Sequence, residues 1–274
     1  MTLYDKIFPP QVITLPDGKS VRRPRSRMPI VVAVLAVMAV LSVKVTGFDF
    51  ALLCSRIREF FVILGQMFSA PAWNYLPQVW KPLFDTVKMS LLGSFIGSVL
   101  VVPFAVLAST NVVHNRVIVG ITRLFLSIVR TLPTLVSALI ATYIFGLGTL
   151  AGTTAIAIFT FAYIGKILYE EIETVDMGAF EAMEAMGFTK VQAFISSIVP
   201  QVLPPYISNC LFCFEGNVRY ASILGYVGAG GLGLILNEKI GWREYDSVGV
   251  ILIALFVTVF LIETISRTIR RHLV

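Results

Sequence analysis

The chain has 274 residues and a net charge of +6, and 57% of its residues are hydrophobic while only 14% are charged. A soluble domain carries about 25% charged residues, so this composition excludes an ordinary soluble domain and indicates that most of the chain lies in lipid. No segment outside the apolar runs has the basic face with exposed aromatics that nucleic-acid binding needs, and the two histidines and three cysteines supply no cluster of metal ligands or catalytic groups.

A first membrane span is predicted at residues 28–47, directly after a polar segment that ends in four arginines. Its length is close to the roughly 20 residues that cross a bilayer. Arginines beside a span indicate the cytoplasmic side, so we expect segment 1–27 to be cytoplasmic. Residues 48–82 are rich in aromatics typical of the membrane surface, and they are predicted to form an external loop with an interfacial helix at 52–67.

The second span is predicted at 83–108 and carries Gly93 and Gly97, a small-residue pair that lets another helix pack closely. The third span, 118–145, is interrupted by the tetrapeptide RTLP at 130–133. Proline removes a hydrogen-bond donor and kinks a helix, so a break is expected here. Because backbone groups freed within a membrane must be satisfied by protein or water, we expect the break to face the protein interior.

A fourth span at 150–168 leads into the polar loop, residues 170–200, whose first part holds six carboxylates and one lysine. Such a loop is not lipid-facing, and its acidic surface favours a basic partner. It is predicted to be helix, sharp turn, helix. Asp176 caps the first helix, Gly187 ends it in a left-handed conformation, and Thr189 with Gln192 makes a capping box for a helix that stops at Pro200.

The fifth span is predicted at 206–224 and contains Glu215 and Arg219, which have the spacing and order of a helical ion pair. The glycine-rich segment 225–233 contains the pattern G-x-G-x-x-G, but it follows a membrane helix rather than a strand. We therefore interpret it as close backbone crossings or a re-entrant segment, not as a dinucleotide site. The sixth span is predicted at 248–265.

The positions of the cations agree with this topology. Thirteen Lys and Arg residues lie in or beside segments predicted to be cytoplasmic, and six lie in or beside segments predicted to be external. Six spans with a cytoplasmic start predict that both termini and the polar loop are cytoplasmic.

Within the polar loop, Glu181-Ala182-Met183, Gly187 and Pro200 have the spacing of the EAA loop of ATP-binding-cassette (ABC) importer permeases, which the chain resembles. The family usually has a small residue at the position of Met183. Segment 214–233 and the RTLP break, together with a glycine pair at 146 and 148, are similar to permeases of phosphonate/phosphite ABC uptake systems. This resemblance covers about residues 80–270.

The resemblance implies an all-α membrane protein with the type I ABC importer permease fold and about six transmembrane helices, in a bacterial cytoplasmic (inner) membrane. The implied organisation is a cytoplasmic segment 1–27, a first helix and external loop 28–82, a permease core 83–268 with coupling loop 170–200, and a cytoplasmic tail 269–274.

The resemblance also implies partners: a second copy of the chain, two cytoplasmic ATPases that act on the coupling loop, and an external substrate-binding protein. The chain has no G-x-x-x-x-G-K-[ST] phosphate loop, so ATP with magnesium is expected on the partner ATPase and no cofactor on this chain.

Charged residues inside spans indicate function, which makes Arg130, Glu215 and Arg219 the candidates for the translocation pathway. Arginine suits a phosphonate because its forked donors match a phosphate-like anion. The alternative is that Glu215 and Arg219 only neutralise each other at a subunit interface, and that Arg130 binds carbonyl groups freed at the break.

Other functions stay open at this point. The chain could serve another solute, such as methionine or a quaternary amine, whose permeases share the loop. An ion-coupled secondary transporter would be expected to show inverted repeats or several carboxylates within spans. A membrane-embedded enzyme would need clustered catalytic groups.

Overall fold

The computed structural model describes residues 11–14, 20–23 and 28–273, which divide into two units, Met1–Val62 and Ile63–Val274. Near the N-terminus two short strands, β1 (Gln11–Thr14) and β2 (Ser20–Arg23), pair antiparallel with Gln11 opposite Arg23. These strands were not expected from the sequence. The rest of the predicted segment 1–27, and Val274 of the predicted tail, lie outside the described residues.

Two helices follow, α1 (Met28–Thr46) and α2 (Phe50–Phe68), and their axes differ by 71°. Gly47 makes the turn with a φ of +64°, a conformation that suits glycine. The Asp49 carboxylate caps α2 by accepting the Ala51 N–H at 2.8 Å. The helix predicted at 52–67 is therefore present, and it is slightly longer than expected.

The core of the second unit is the pair α3 (Leu76–Ala108) and α6 (Thr149–Thr174), which pack along the predicted glycine seam. A Cβ on Gly93 would lie 2.8 Å from the Thr153 carbonyl oxygen, and one on Gly97 would lie 2.5 Å from that of Ala157. Backbones this close leave no room for a side chain, so the small-residue prediction is confirmed.

The predicted break in the third span is a sharp bend of 86° between α4 (Arg116–Thr131) and α5 (Thr134–Phe145). Leu132 and Pro133 between them have extended backbones. The carbonyl of Ile128 beside the break accepts a hydrogen bond from the Thr131 hydroxyl at 2.7 Å. The proline thus ends one helix and begins the next, because its ring cannot follow an α-helical turn.

The polar loop contains the short helix α7 (Gly178–Ala185) and the turn α8 (Lys190–Ala193). A π-helical turn, Phe194–Ile198, joins α8 directly to the long helix α9 (Val199–Leu224). The prediction that a helix stops at Pro200 is therefore wrong, and the predicted fifth span, 206–224, does not begin a new helix but lies within α9.

The helix continues through Pro200, the second residue of α9, which directly follows the π turn. The N–H of Val199 bonds to the carbonyl of Phe194, five residues back, so the hydrogen-bond register has already changed there. Prolines further along a membrane helix are tolerated because neighbouring groups satisfy the freed carbonyls.

The glycine-rich segment forms a 3₁₀ turn, Gly225–Val227, and three left-handed glycines before α10 (Leu232–Gly241). A Cβ on Gly233 would lie 2.0 Å from the Ser222 carbonyl oxygen, and the Gly148 N–H donates to the Gly228 carbonyl at 3.0 Å. The predicted close backbone crossings are confirmed. The chain ends in α11 (Tyr245–Arg271).

Among the described residues, three helices can cross a membrane by length and composition, at Trp73–Ala108, Thr149–Thr174 and Tyr245–Arg271. Three bent pairs pass the same test together: α1 with α2, α4 with α5, and the α8–α9 helix with α10. Up to six spans result if each pair counts as one. The described membrane part is helical throughout, which confirms the predicted all-α membrane class.

Candidate functional site

The polar loop folds locally as its sequence predicts. Asp176 accepts the N–H of Gly178, the first residue of α7, at 2.9 Å. Gly187 has a φ of +90°, and the Phe188 N–H returns to the Met183 carbonyl at 3.2 Å. This left-handed glycine with a bond across five residues is a standard helix end. The turn between the two helices is therefore built from backbone hydrogen bonds and is not a loose connection.

The capping box that begins the next helix is confirmed. The Gln192 side-chain oxygen accepts the Thr189 N–H at 3.0 Å, and the Thr189 hydroxyl accepts the Gln192 N–H at 3.4 Å. Both helix starts in the loop thus have side-chain partners for backbone donors that would otherwise be unpaired.

Phe180 anchors the loop helix to the spans. Only 8% of Phe180 is exposed, and it belongs to a core cluster with Ile172 of α6 and Val202 of α9. Met177 and Met183 pack against the same cluster. Met183, which differs from the usual small residue of the EAA loop, therefore lies on the inner side of α7 and leaves the outer side free.

The outer side of the loop exposes small residues, large apolar residues and one carboxylate. Glu181, Ala182 and Ala185 are exposed along α7. Four apolar side chains that follow α7 along the chain are also exposed, of which Met186 is 68% exposed, and we call this set the exposed patch: Met186, Phe188, Val191 and Ile195. Their exposure was not expected from the sequence, because apolar residues at these positions could equally have been buried. Apolar side chains exposed together on a polar loop indicate a protein-binding surface.

The acidic surface of the loop is smaller than the sequence predicts. Of its six carboxylates, Glu181 and Glu184 have no ion pair or hydrogen bond among the described residues. The other four are engaged within the chain: Glu170 by Lys166, Glu171 by Asn209, Glu173 by Arg123, and Asp176 by the N–H of Gly178.

A cluster of hydrogen bonds joins the start of the loop to the neighbouring helices, and we call it the polar brace: Thr110, Arg123 and Glu173. It was not expected from the sequence. The Glu173 carboxylate accepts hydrogen bonds from Arg123 of α4 and from both the N–H and the hydroxyl of Thr110. Arg123 also donates to the Ala108 carbonyl at 2.8 Å and lies over the Tyr169 ring. The end of α3, the helix α4 and the end of α6 are thereby tied together beside the loop.

A cavity of about 450 Å³ opens between α6 and α9. Its walls include four aromatic rings, Phe159, Tyr163, Phe212 and Tyr220, and its polar lining includes Asn217 and Arg219. Gly216 also faces it, and a Cβ there would meet no atom within 4 Å. The volume is in the range of small-molecule sites.

The predicted ion pair between Glu215 and Arg219 is present beside this cavity. Glu215 is only 4% exposed, whereas more than half of the Arg219 side chain is accessible. Arg270, which lies in the segment 269–274 predicted to be a cytoplasmic tail, places Nη2 3.7 Å from the second oxygen of Glu215.

Arg130 is exposed in the last turn of α4. It has no ion pair or hydrogen bond within the described part of the chain, and it does not line the cavity with Arg219. The structure therefore does not bring the two candidate arginines together. In residues 28–273, no group of three His, Cys, Asp or Glu side chains could hold a metal ion.

The family model described as "Binding-protein-dependent transport system inner membrane component" matches residues 101–274. Two curated proteins show the level of similarity. The phosphate-import permease protein PhnE of Mycolicibacterium smegmatis is 35% identical over 69% of this chain, and the match covers 36% of that protein. The phosphite transport system permease protein PtxC of Stutzerimonas stutzeri is 32% identical, and the match covers 70% of each chain.

Among solved structures, one of the inward-facing MetNI methionine ABC transporter has a TM-score of 0.65. It is 23% identical, and the match covers 72% of this chain and 98% of that one. Similarity at this level shows the fold alone, and it confirms the predicted type I ABC importer permease fold.

Proposed function

The chain belongs to the family of binding-protein-dependent transport system inner membrane components, and from this premise we propose that it is the permease subunit of an ATP-driven importer of phosphonate or a related oxyanion. The observation that carries the proposal is the polar loop. It contains a short helix that the buried side chain of Phe180 holds against the membrane helices, and the opposite side of this helix is exposed and can contact another protein.

The solute class is supported by two independent features. Relatives that cover much of this chain are named for phosphate and phosphite import. The cavity between α6 and α9 exposes the guanidinium of Arg219, whose forked donors match the oxygens of a phosphate-like anion. Arginine also binds carboxylates, so this feature favours a solute with an anionic group and disfavours a quaternary amine that lacks one, while the names of the relatives favour a phosphorus oxyanion.

The loop is the proposed docking surface for a cytoplasmic ATPase. The exposed patch and the small residues Ala182 and Ala185 allow close approach of another protein, and Glu181 adds negative charge at its edge. A force on α7 is passed to α6 and α9 through Phe180, and to α3 and α4 through the brace at Glu173. Pro200 lies where this loop joins the long helix α9.

The proposed complex contains two copies of this chain, two ATPases that bind ATP with magnesium, and an external binding protein. Both termini and the polar loop are proposed to face the cytoplasm, as the distribution of cations predicts. The assignment of Arg130 to the pathway stays a prediction, while the accessible side chain of Arg219 supports its own assignment.

Uptake of labelled methylphosphonate into vesicles that contain the complete system tests this function. We expect uptake that requires ATP and the binding protein, with competition by phosphite and none by methionine. Competition by methionine alone, or uptake that continues without ATP, would overturn the proposal.

A cavity-filling variant tests whether the space beside Arg219 is on the path. Gly216→Leu places a side chain in open space, so the helix is expected to fold normally. An anion that must displace this side chain meets an added barrier of roughly 1–3 kcal/mol, which slows uptake about five- to a hundredfold. Gly120→Leu, which also enters open space but lies on α4, is the matched control. Equal uptake by both variants would remove the cavity from the path.

A further inference from the structure

A buried carboxylate beside the cavity has two cations, one on each of two helices. Glu215 and Arg219 lie one turn apart on α9, and Arg270 reaches Glu215 from the end of α11. The carboxylate is almost fully buried, with 5% of its side chain exposed. A buried charge needs a partner at all times, because it would otherwise be left without solvation.

The two arginines are not equivalent. Arg219 has more than half of its side chain accessible and lines the cavity, and its only acceptor among the described residues is Glu215. A guanidinium has five N–H donors, so most of the donors of Arg219 are free to bind a ligand. Arg270 is mostly covered, and its guanidinium also lies 5.8 Å from the centre of the Phe212 ring.

Of the three arginines near the end of α11, only Arg270 forms an ion pair with Glu215 among the described residues. Arg267 is paired with Glu263 on its own helix at 2.5 Å. Arg271 has no ion pair among the described residues and is exposed. Arg270 is thus the residue that connects α11 to the charges beside the cavity.

We propose that Arg270 is a positioning residue that holds the buried Glu215 carboxylate, so that Arg219 can leave it and bind a phosphonate-type oxyanion in the cavity. With Arg270 in place, Glu215 keeps a cationic partner while Arg219 turns to the anion. Without Arg270, release of Arg219 leaves the carboxylate unpaired, and Arg219 stays on Glu215. This inference rests on the proposed function, since it assigns the residue that makes Arg219 available.

The test compares two neighbouring arginines in the complete transporter, with labelled methylphosphonate as the probe and uptake normalised to the amount of assembled complex. We expect Arg270→Gln to lower uptake about tenfold, the size of a typical coupling within one charge network. Arg271→Gln removes the same charge from the same helix end and is expected to stay within about twofold of the unmodified protein, as exposed charges do.

A double variant separates positioning from a purely structural role. If Arg270 acts by holding the Glu215 carboxylate, then Glu215→Gln combined with Arg270→Gln removes the charge that traps Arg219, and uptake recovers to at least about half of the unmodified level. A structural role predicts that the double variant is as poor as Arg270→Gln or worse, and that result would overturn the inference. Equal uptake by the Arg270→Gln and Arg271→Gln variants would also overturn it. Failure of the unmodified transporter to take up the anion would instead refute the proposed function.

Discussion

Replacement of Phe180 by alanine is expected to release the loop helix α7 from the membrane helices. Phe180 is 8% exposed and contacts the cluster that includes Leu168, Ile172 and Val202. The hydrogen bonds at the two ends of α7, from the Gly178 N–H to the Asp176 carboxylate and from the Phe188 N–H to the Met183 carbonyl, do not involve the Phe180 side chain, so the variant leaves the local fold of the loop intact.

The expected size of the effect follows from burial and helix length. Truncation of a buried phenylalanine to alanine costs about 3–5 kcal/mol. The helix has 8 residues, and an isolated helix shorter than roughly 12–15 residues is marginal in water, so docking supplies most of its stability. A loss of about 3 kcal/mol changes the ratio of docked to undocked helix by more than a hundredfold, since about 1.4 kcal/mol is a factor of ten.

Hydrogen exchange of the α7 amides, measured without the ATPase, reports docking directly. We expect exchange in Phe180→Ala to be about a hundredfold faster, with reduced uptake in the complete transporter. Phe188→Ala is the matched control, because Phe188 is 46% exposed in the exposed patch. It should leave exchange unchanged and weaken co-purification of the ATPase. Unchanged exchange in Phe180→Ala, or equally fast exchange in both variants, would refute the anchor role of Phe180.

Two further predictions concern packing and the brace. Gly97→Ala puts a Cβ 2.5 Å from the Ala157 carbonyl oxygen and should destabilise the protein by about 1–3 kcal/mol, whereas Gly120→Ala, in open space, should stabilise it by about 0.5–1 kcal/mol, both measured by thermal unfolding. Glu173→Gln weakens charged hydrogen bonds to two helices and should cost about 1.5–3 kcal/mol by the same measurement. Glu170→Gln should lower the stability by less than about 1 kcal/mol, because the ion pair of Glu170 with Lys166 is more exposed.

Each of these comparisons has a result that would contradict the prediction. Similar unfolding temperatures for the two glycine variants would mean that α3 and α6 are not packed through Gly97. A Glu173→Gln protein as stable as Glu170→Gln would show that the brace contributes nothing beyond an exposed ion pair.

Local features of the polar loop could be predicted from the sequence because each depends on residues that are only a few positions apart. A capping box needs Thr189 and Gln192, and a left-handed helix end needs Gly187, whatever the rest of the chain does. The pair of Glu215 and Arg219 was predictable for the same reason, since both lie on one face of one helix.

One local prediction failed at Pro200. A proline usually ends a helix, but the π turn at Phe194–Ile198 changes the hydrogen-bond register before it, and the helix continues into α9. Sequence spacing does not reveal such a turn, because it depends on how the helix packs against its neighbours.

Composition and local spacing alone determined that this is a membrane protein with up to six spans, a capped helical loop and a helical ion pair. Only the tertiary structure decided which side of that loop faces outward, which carboxylates are already engaged, and that Arg270 reaches Glu215 from a distant part of the chain. The physical reason is the separation in sequence over which each interaction acts. Hydrophobicity, caps and ion pairs within a helix act over a few residues, whereas burial and contacts between helices depend on groups far apart in sequence that only packing brings together.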